Sequence, residues 1–184
     1  MKKIILFFLF CINLFAEPQT YIGMNYGGTY EKFTTAKATE SSPFLNLKAG
    51  YGVRDGYGVE IYFEYVQNKS KIFSSDPATK YDGNKYAINI ALVKSFDFDI
   101  YVLPFVKAGF GAGSFKVART LDKRLSYGSF NLGTGIYIPI TKHYDIELGY
   151  RYKSISHEGL NLISQTIIHT ANAYSAYVGF NFRY

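Results

Sequence analysis

The sequence is poor in the residues that most catalytic and metal-binding chemistry draws on. It has one cysteine, Cys11, and three histidines, His143, His157 and His169. Their scatter fits no zinc-ligand spacing, so no metal or other cofactor is expected. Beyond residue 16 there is no cysteine at all, which excludes disulfide and thiol chemistry downstream. No segment after residue 16 approaches the roughly 20 apolar residues of a membrane-spanning helix. A clustered basic tract is also missing, so nucleic acid is not an expected partner.

The one strongly apolar run lies at the start. Lys2 and Lys3 precede the apolar stretch Ile4–Leu14, and Ala16 offers a small residue before Glu17. This is the pattern of a secretory signal peptide over residues 1–16, cleaved after Ala16. A lipoprotein would acylate Cys11, but Phe10 is too bulky for the position before such a cysteine. Removing Lys2 and Lys3 lowers the formal charge from +6 to +4, a mild excess compatible with anionic lipid head groups. Residues 17–184 are then enough for one domain, and no peptidoglycan-binding tail is expected after Tyr184.

What remains is rich in Tyr (18), Phe (16) and Gly (17), with a mean hydropathy of −0.04. Eight strand-like segments fill it: Gln19–Glu31, Phe44–Val53, Tyr57–Asn68, Lys85–Phe96, Ile100–Lys116, Tyr127–Ile140, Tyr144–Ser154 and Asn172–Tyr184. The gaps between them alternate long and short. The short ones are Arg54-Asp55-Gly56, Asp97-Phe98-Asp99 and Thr141-Lys142-His143. In an antiparallel sheet alternate connections lie at opposite ends, so one rim carries the turns and the other the loops. That asymmetry predicts an all-β, eight-stranded up-and-down transmembrane barrel with short periplasmic turns and longer external loops.

Side-chain parity sorts each strand into two faces. Tyr57, Val59, Ile61, Phe63 and Tyr65 oppose Gly58, Glu60, Tyr62 and Glu64; Tyr144, Ile146, Leu148, Tyr150 and Tyr152 oppose Asp145, Glu147, Gly149, Arg151 and Lys153. The apolar face, often ending in Tyr or Phe, suits lipid and its aromatic girdles. A soluble lipocalin-like barrel would turn that face inward. The mixture of small and charged residues on the other face suits a narrow polar lumen instead. Lys48, Glu60, Glu64, Lys107, Glu147 and Arg151, with Arg183 near the periplasmic end, are therefore the expected lumen charge network. With both signs present they are expected to pair, plugging the interior rather than forming an ion path.

The final residues, Tyr177-Val178-Gly179-Phe180-Asn181-Phe182-Arg183-Tyr184, resemble the C-terminal β-signal read by the barrel-assembly machinery. Gly179, Phe182 and Tyr184 occupy its key positions. Asp145-Ile146-Glu147-Leu148-Gly149-Tyr150-Arg151-Tyr152 resembles the penultimate strand of opacity-type and OmpA-type barrels. The resemblance, covering Glu17–Tyr184 as an architecture, implies a barrel in the outer membrane of a Gram-negative bacterium. Outer-membrane lipid, lipopolysaccharide and the assembly machinery are its implied partners. It does not imply one activity, because members include adhesins, envelope stabilisers, solute conduits and a few enzymes.

Ser154-Ile155-Ser156-His157-Glu158-Gly159-Leu160 resembles the active segment of lipid A deacylases of this fold. Aligned on Gly159-Leu160, Ser156 matches the family serine, but Ser154 stands where the histidine belongs. Consecutive strand residues also face opposite ways, so Ser156, His157 and Glu158 cannot form a triad among themselves. Gly109-Phe110-Gly111-Ala112-Gly113 lacks the lysine and helix of a phosphate loop and fits a crowded lumen wall. Four external loops are expected, at Lys32–Pro43, Lys69–Asn84, Val117–Ser126 and Ile155–Ala171. The first two are polar enough to be solvated. The fourth, with Leu160, Leu162, Ile163, Ile167 and Ile168, is apolar enough to fold over the barrel mouth or extend its flanking strands. The expected function is a monomeric barrel serving envelope structure or surface interaction with a host or surface ligand. A narrow conduit for small, hydrophobic solutes is the alternative, and a lipid-modifying esterase a third.

Overall fold

The computed structural model describes residues 17–33, 41–69, 71–73, 77–117, 124–158, 160–162, 165–167 and 170–184. Residues 1–16, the expected signal peptide with Cys11, lie outside them. Eight long strands carry the fold: β1 (Gln19–Phe33), β2 (Ser41–Gly52), β3 (Tyr57–Val66), β4 (Lys85–Ser95), β5 (Leu103–Lys116), β6 (Arg124–Pro139), β7 (Tyr144–His157) and β10 (Thr170–Arg183). They close in the order β1-β10-β7-β6-β5-β4-β3-β2, each pair antiparallel. Closure matters physically, because lipid offers no water to satisfy a free strand edge. The seam runs from Tyr21↔Arg183 to Phe33↔Ala171.

The alternation expected from parity is visible strand by strand. In β4, Tyr86, Ile88, Ile90 and Leu92 face outward, while Lys85, Ala87, Asn89 and Ala91 are buried in the lumen. Outward aromatic side chains gather near both ends. Tyr65–Tyr86 and Tyr152–Tyr174 pack at 5.3 and 5.5 Å toward the loop side. Tyr144–Phe182 and Phe182–Tyr184 pack at 5.2 and 6.1 Å on the turn side.

Three details depart from the sequence-based expectation. β5 begins at Leu103 rather than Ile100, because Asp97 and Asp99 shape the preceding turn. The Asp97 carboxylate accepts the N–H of Asp99 at 2.8 Å, and Asp99 takes a left-handed φ of 57°. The apolar fourth loop neither simply prolongs its flanking strands nor stays irregular. It forms a separate hairpin, β8 (Leu160–Leu162) with β9 (Gln165–Ile167); Ile163 and Ile168 lie outside the described residues. The second loop is largely solvated, with Lys69, Lys71, Lys80 and Tyr81 exposed, but one of its side chains turns into the lumen. Asp82 accepts the N–H groups of Ile72 and Phe73 at 2.7 and 3.0 Å. That clip turns the Phe73 ring inward against Phe33 and Phe115, at 5.7 and 5.5 Å.

Inside, aromatic layers alternate with charged ones. Val93, Leu103, Phe105 and Tyr137 pack near the turns; Phe44, Val66 and Tyr177 pack at mid-height. A larger cluster that includes Phe33, Phe73, Phe115, Leu125 and Tyr127 caps the loop end. Glycine makes room for these rings. Tyr21 lies across its cross-strand partner Gly50, Tyr177 across Gly149 and Tyr127 across Gly113. A Cβ at those glycines would sit 2.2–2.4 Å from the tyrosine Cζ.

The outward position of Ile90 at the middle of β4 supplies a direct check on orientation. Ile90→Arg should lower stability by about 2–4 kcal/mol in lipid, whereas Ile90→Leu should be near neutral. Urea unfolding of both variants in phospholipid vesicles measures the difference.

Candidate functional site

Parity alone sends the charged residues inward, and the register decides which of them meet. At the centre, Lys48 of β2, Glu60 of β3, Lys107 of β5 and Glu147 of β7 form an alternating ring. Lys107 Nζ lies 2.8 Å from Glu60 and 2.9 Å from Glu147; Lys48 pairs with Glu147 and stands 3.6 Å from Glu60. Glu60 and Glu147 are 1% and 0% exposed. Carboxylates so deep need every lone pair occupied. The Tyr21 hydroxyl donates to Glu60 Oε1 and the Tyr177 hydroxyl to Glu147 Oε1, both at 2.8 Å, while Asn181 Nδ2 reaches Glu147 Oε2 at 3.3 Å. The Tyr-over-Gly packing thus aims two phenols at the ring.

A second tier lies nearer the loops. Glu64 takes hydrogen bonds from Arg151 and Lys153, and Lys85 pairs with Glu31. The Arg151 guanidinium also rests over Phe44, 5.0 Å from the ring centre, and 5.7 Å from that of Tyr62. A third tier closes the turn end, where Asp145 binds Arg54 and, at 2.5 Å, Arg183 Nε. Arg183 stacks over Tyr21 at 4.6 Å.

All the charges expected in the lumen therefore lie there, although not in a single network. Lys48, Glu60, Lys107 and Glu147 meet in the central ring, Glu64 and Arg151 in the second tier, and Arg183 in the third. The charge list missed Glu31, Arg54, Lys85, Asp145 and Lys153. Parity had already put Asp145 and Lys153 on the lumen face, and the same parity extends to Glu31 and Lys85. Arg54 carried no such signal, because it belongs to a turn and reaches inward from the rim.

The interior between the tiers is nearly full. Among the described residues small voids lie beside the tiers: about 20 Å³ beside Lys48, Glu60 and Lys107, about 20 Å³ beside Glu64 and Lys153, and about 10 Å³ between Tyr21 and Arg183. Each has room for about one water molecule.

Gly179, Phe182 and Tyr184 lie at the turn end of the closing seam. Gly179 faces the lumen against Asn25, where a Cβ would stand 2.0 Å from the Asn25 Oδ1. Phe182 and Tyr184 join the outer aromatic belt. The serine of the deacylase-like segment is exposed on the outer wall, level with Gly128 and Thr170. Its neighbour His157 turns the other way, buried among Phe33, Phe73, Phe115 and Tyr127 at 5.0–5.8 Å. His143 sits on a periplasmic turn with Nδ1 2.9 Å from the Arg183 carbonyl, and His169 lies outside the described residues. Among the described residues no histidine is hydrogen-bonded to Ser156, and no group of acidic, His or Cys side chains is arranged to hold a metal.

The central ring predicts a large penalty for losing one member. Glu147→Gln leaves Lys48 and Lys107 sharing Glu60 alone and should cost about 3–5 kcal/mol. A double change, Lys48→Met with Glu147→Leu, should recover part of that loss. Denaturation midpoints of the refolded variants test both.

The family model described as an outer membrane protein beta-barrel domain matches residues 5–182. Neisserial surface protein A superposes with a TM-score of 0.67 at 16% identity, covering 90% of this chain and 97% of its own. Ail, the attachment invasion locus protein of Yersinia pestis, gives 0.57 at 18%, covering 91% and 99%. The N-terminal barrel domain of OprF from Pseudomonas aeruginosa gives 0.56 at 11%, covering 91% and 100%. No curated protein matches the sequence.

Proposed function

The chain belongs to the outer membrane protein beta-barrel domain family, and on that premise we propose that it serves the envelope as a plugged barrel, in a structural or surface-interaction role. It is an integral protein of the Gram-negative outer membrane. The observation that carries the proposal is the tiered pairing of lumen charges, with voids no larger than about one water between them. A continuous wet path would require several of these pairs to separate at once, and those of the central and upper tiers are at most 13% exposed.

Contact with the surroundings then falls to the loop end. The clip at Asp82 that turns Phe73 inward leaves Lys69, Lys71, Lys80 and Tyr81 exposed on the same loop. This supports a surface role toward an anionic partner, either a host ligand or neighbouring lipopolysaccharide. Ail was solved with a heparin analogue, sucrose octasulfate, but its likeness to this chain is one of fold. The surface role proposed here rests on the loop itself. Closure leaves no free edge among the eight barrel strands, which supports a monomer. The C-terminal positions Gly179, Phe182 and Tyr184 are the proposed contact with the assembly machinery. The outward Ser156 and inward His157 favour a non-enzymatic barrel.

The refolded protein in a planar bilayer should give no unitary conductance steps at either polarity. Reproducible steps that change in Arg151→Ala or Glu64→Ala would overturn the plugged-lumen proposal and establish the conduit alternative.

A further inference from the structure

The three tiers differ in charge balance. In the central ring two lysines face two glutamates. At the turn end the surplus cation, Arg54, has a side chain 23% exposed at the rim. In the upper tier Lys85, Arg151 and Lys153 face only Glu31 and Glu64, and every one of these side chains is at most 13% exposed. One positive charge is therefore surplus among the described residues in a dry part of the barrel. Leaving a buried charge uncompensated is among the costliest features a folded protein can carry.

The same five residues, with Tyr127, line the void of about 20 Å³. Two of its wall groups have unfinished hydrogen bonding: the Arg151 Nε–H lacks an acceptor, and Glu31 Oε1 lacks a donor. Hydroxyls complete the wall. Ser175 donates to Thr29 at 2.9 Å, which leaves the Thr29 proton available to a further acceptor. Above the tier, His157 is enclosed by aromatic rings and brings no negative charge. Asp82 does not line the void; its carboxylate holds the amides of Ile72 and Phe73. A water molecule accepting from the Arg151 Nε–H would leave the surplus charge standing.

We propose that the void between Glu64, Arg151 and Lys153 is a binding site for one small monovalent anion of chloride size, enclosed as the barrel folds. The anion accepts from Arg151 Nε–H and the neighbouring cations and neutralises the tier. Glu31 and Glu64 stay engaged with Lys85, Arg151 and Lys153, and they limit the site to a single charge.

The test is refolding in sodium chloride and in sodium gluconate at equal ionic strength, gluconate being too large for the void. With an anion bound only to the folded state, the folding constant rises by up to about tenfold for each tenfold increase in chloride above the dissociation constant. Lys153→Met removes the surplus charge and should abolish the chloride dependence. Crystals grown from bromide should show an anomalous peak in the void of the unaltered protein. That measurement stands even if Lys153→Met fails to fold. Equal stability in the two salts, chloride dependence that persists in Lys153→Met, or density in the void without anomalous signal would each overturn the proposal.

Discussion

A strand edge in lipid has nothing to hydrogen-bond but another strand, and the rest of this structure depends on that constraint. The sheet must close, and eight strands close around an interior just wide enough for side chains. Everything inside is then packed, and every charge inside needs a partner within reach. The seam between Tyr21 and Arg183 at one end and Phe33 and Ala171 at the other meets the backbone requirement. The central ring of Lys48, Glu60, Lys107 and Glu147 meets the side-chain one.

The narrow bore also explains the pairing of large and absent side chains on neighbouring strands. Tyr21, Tyr127 and Tyr177 each fill space that a glycine on the next strand vacates. For Tyr21 and Tyr177 the arrangement has an electrostatic consequence, since both hydroxyls end on carboxylates of the ring. Packing and charge satisfaction are thus one problem here. Rings separate the ionic tiers and exclude the water that would otherwise screen them, which strengthens the attraction within each tier and raises the cost of any unpaired member.

At the loop end the same economy of space draws one loop inward. Phe73 completes an aromatic cap over the lumen, while the lysines of its loop stay in solvent. The barrel therefore presents lipid with apolar side chains along its wall and carries exposed lysines on its second loop. Its interior is filled by ionic tiers and packed rings, which favours the plugged barrel proposed above.

The sequence by itself determined the number of barrel strands, their two faces and the end at which each connection lies. These follow from local periodicity, because the pleat alternates side chains whatever the neighbouring strand is. It also sent Lys48, Glu60, Glu64, Lys107, Glu147, Arg151 and Arg183 to the lumen. Only the tertiary structure decided that Lys48 meets Glu147, 99 residues away, or that Lys153 shares Glu64 with Arg151. Which charges become neighbours depends on barrel closure and register, and no local pattern encodes either. The inward turn of Phe73 was likewise invisible in its polar surroundings, because Phe33 and Phe115, against which its ring packs, come together only once the barrel has closed.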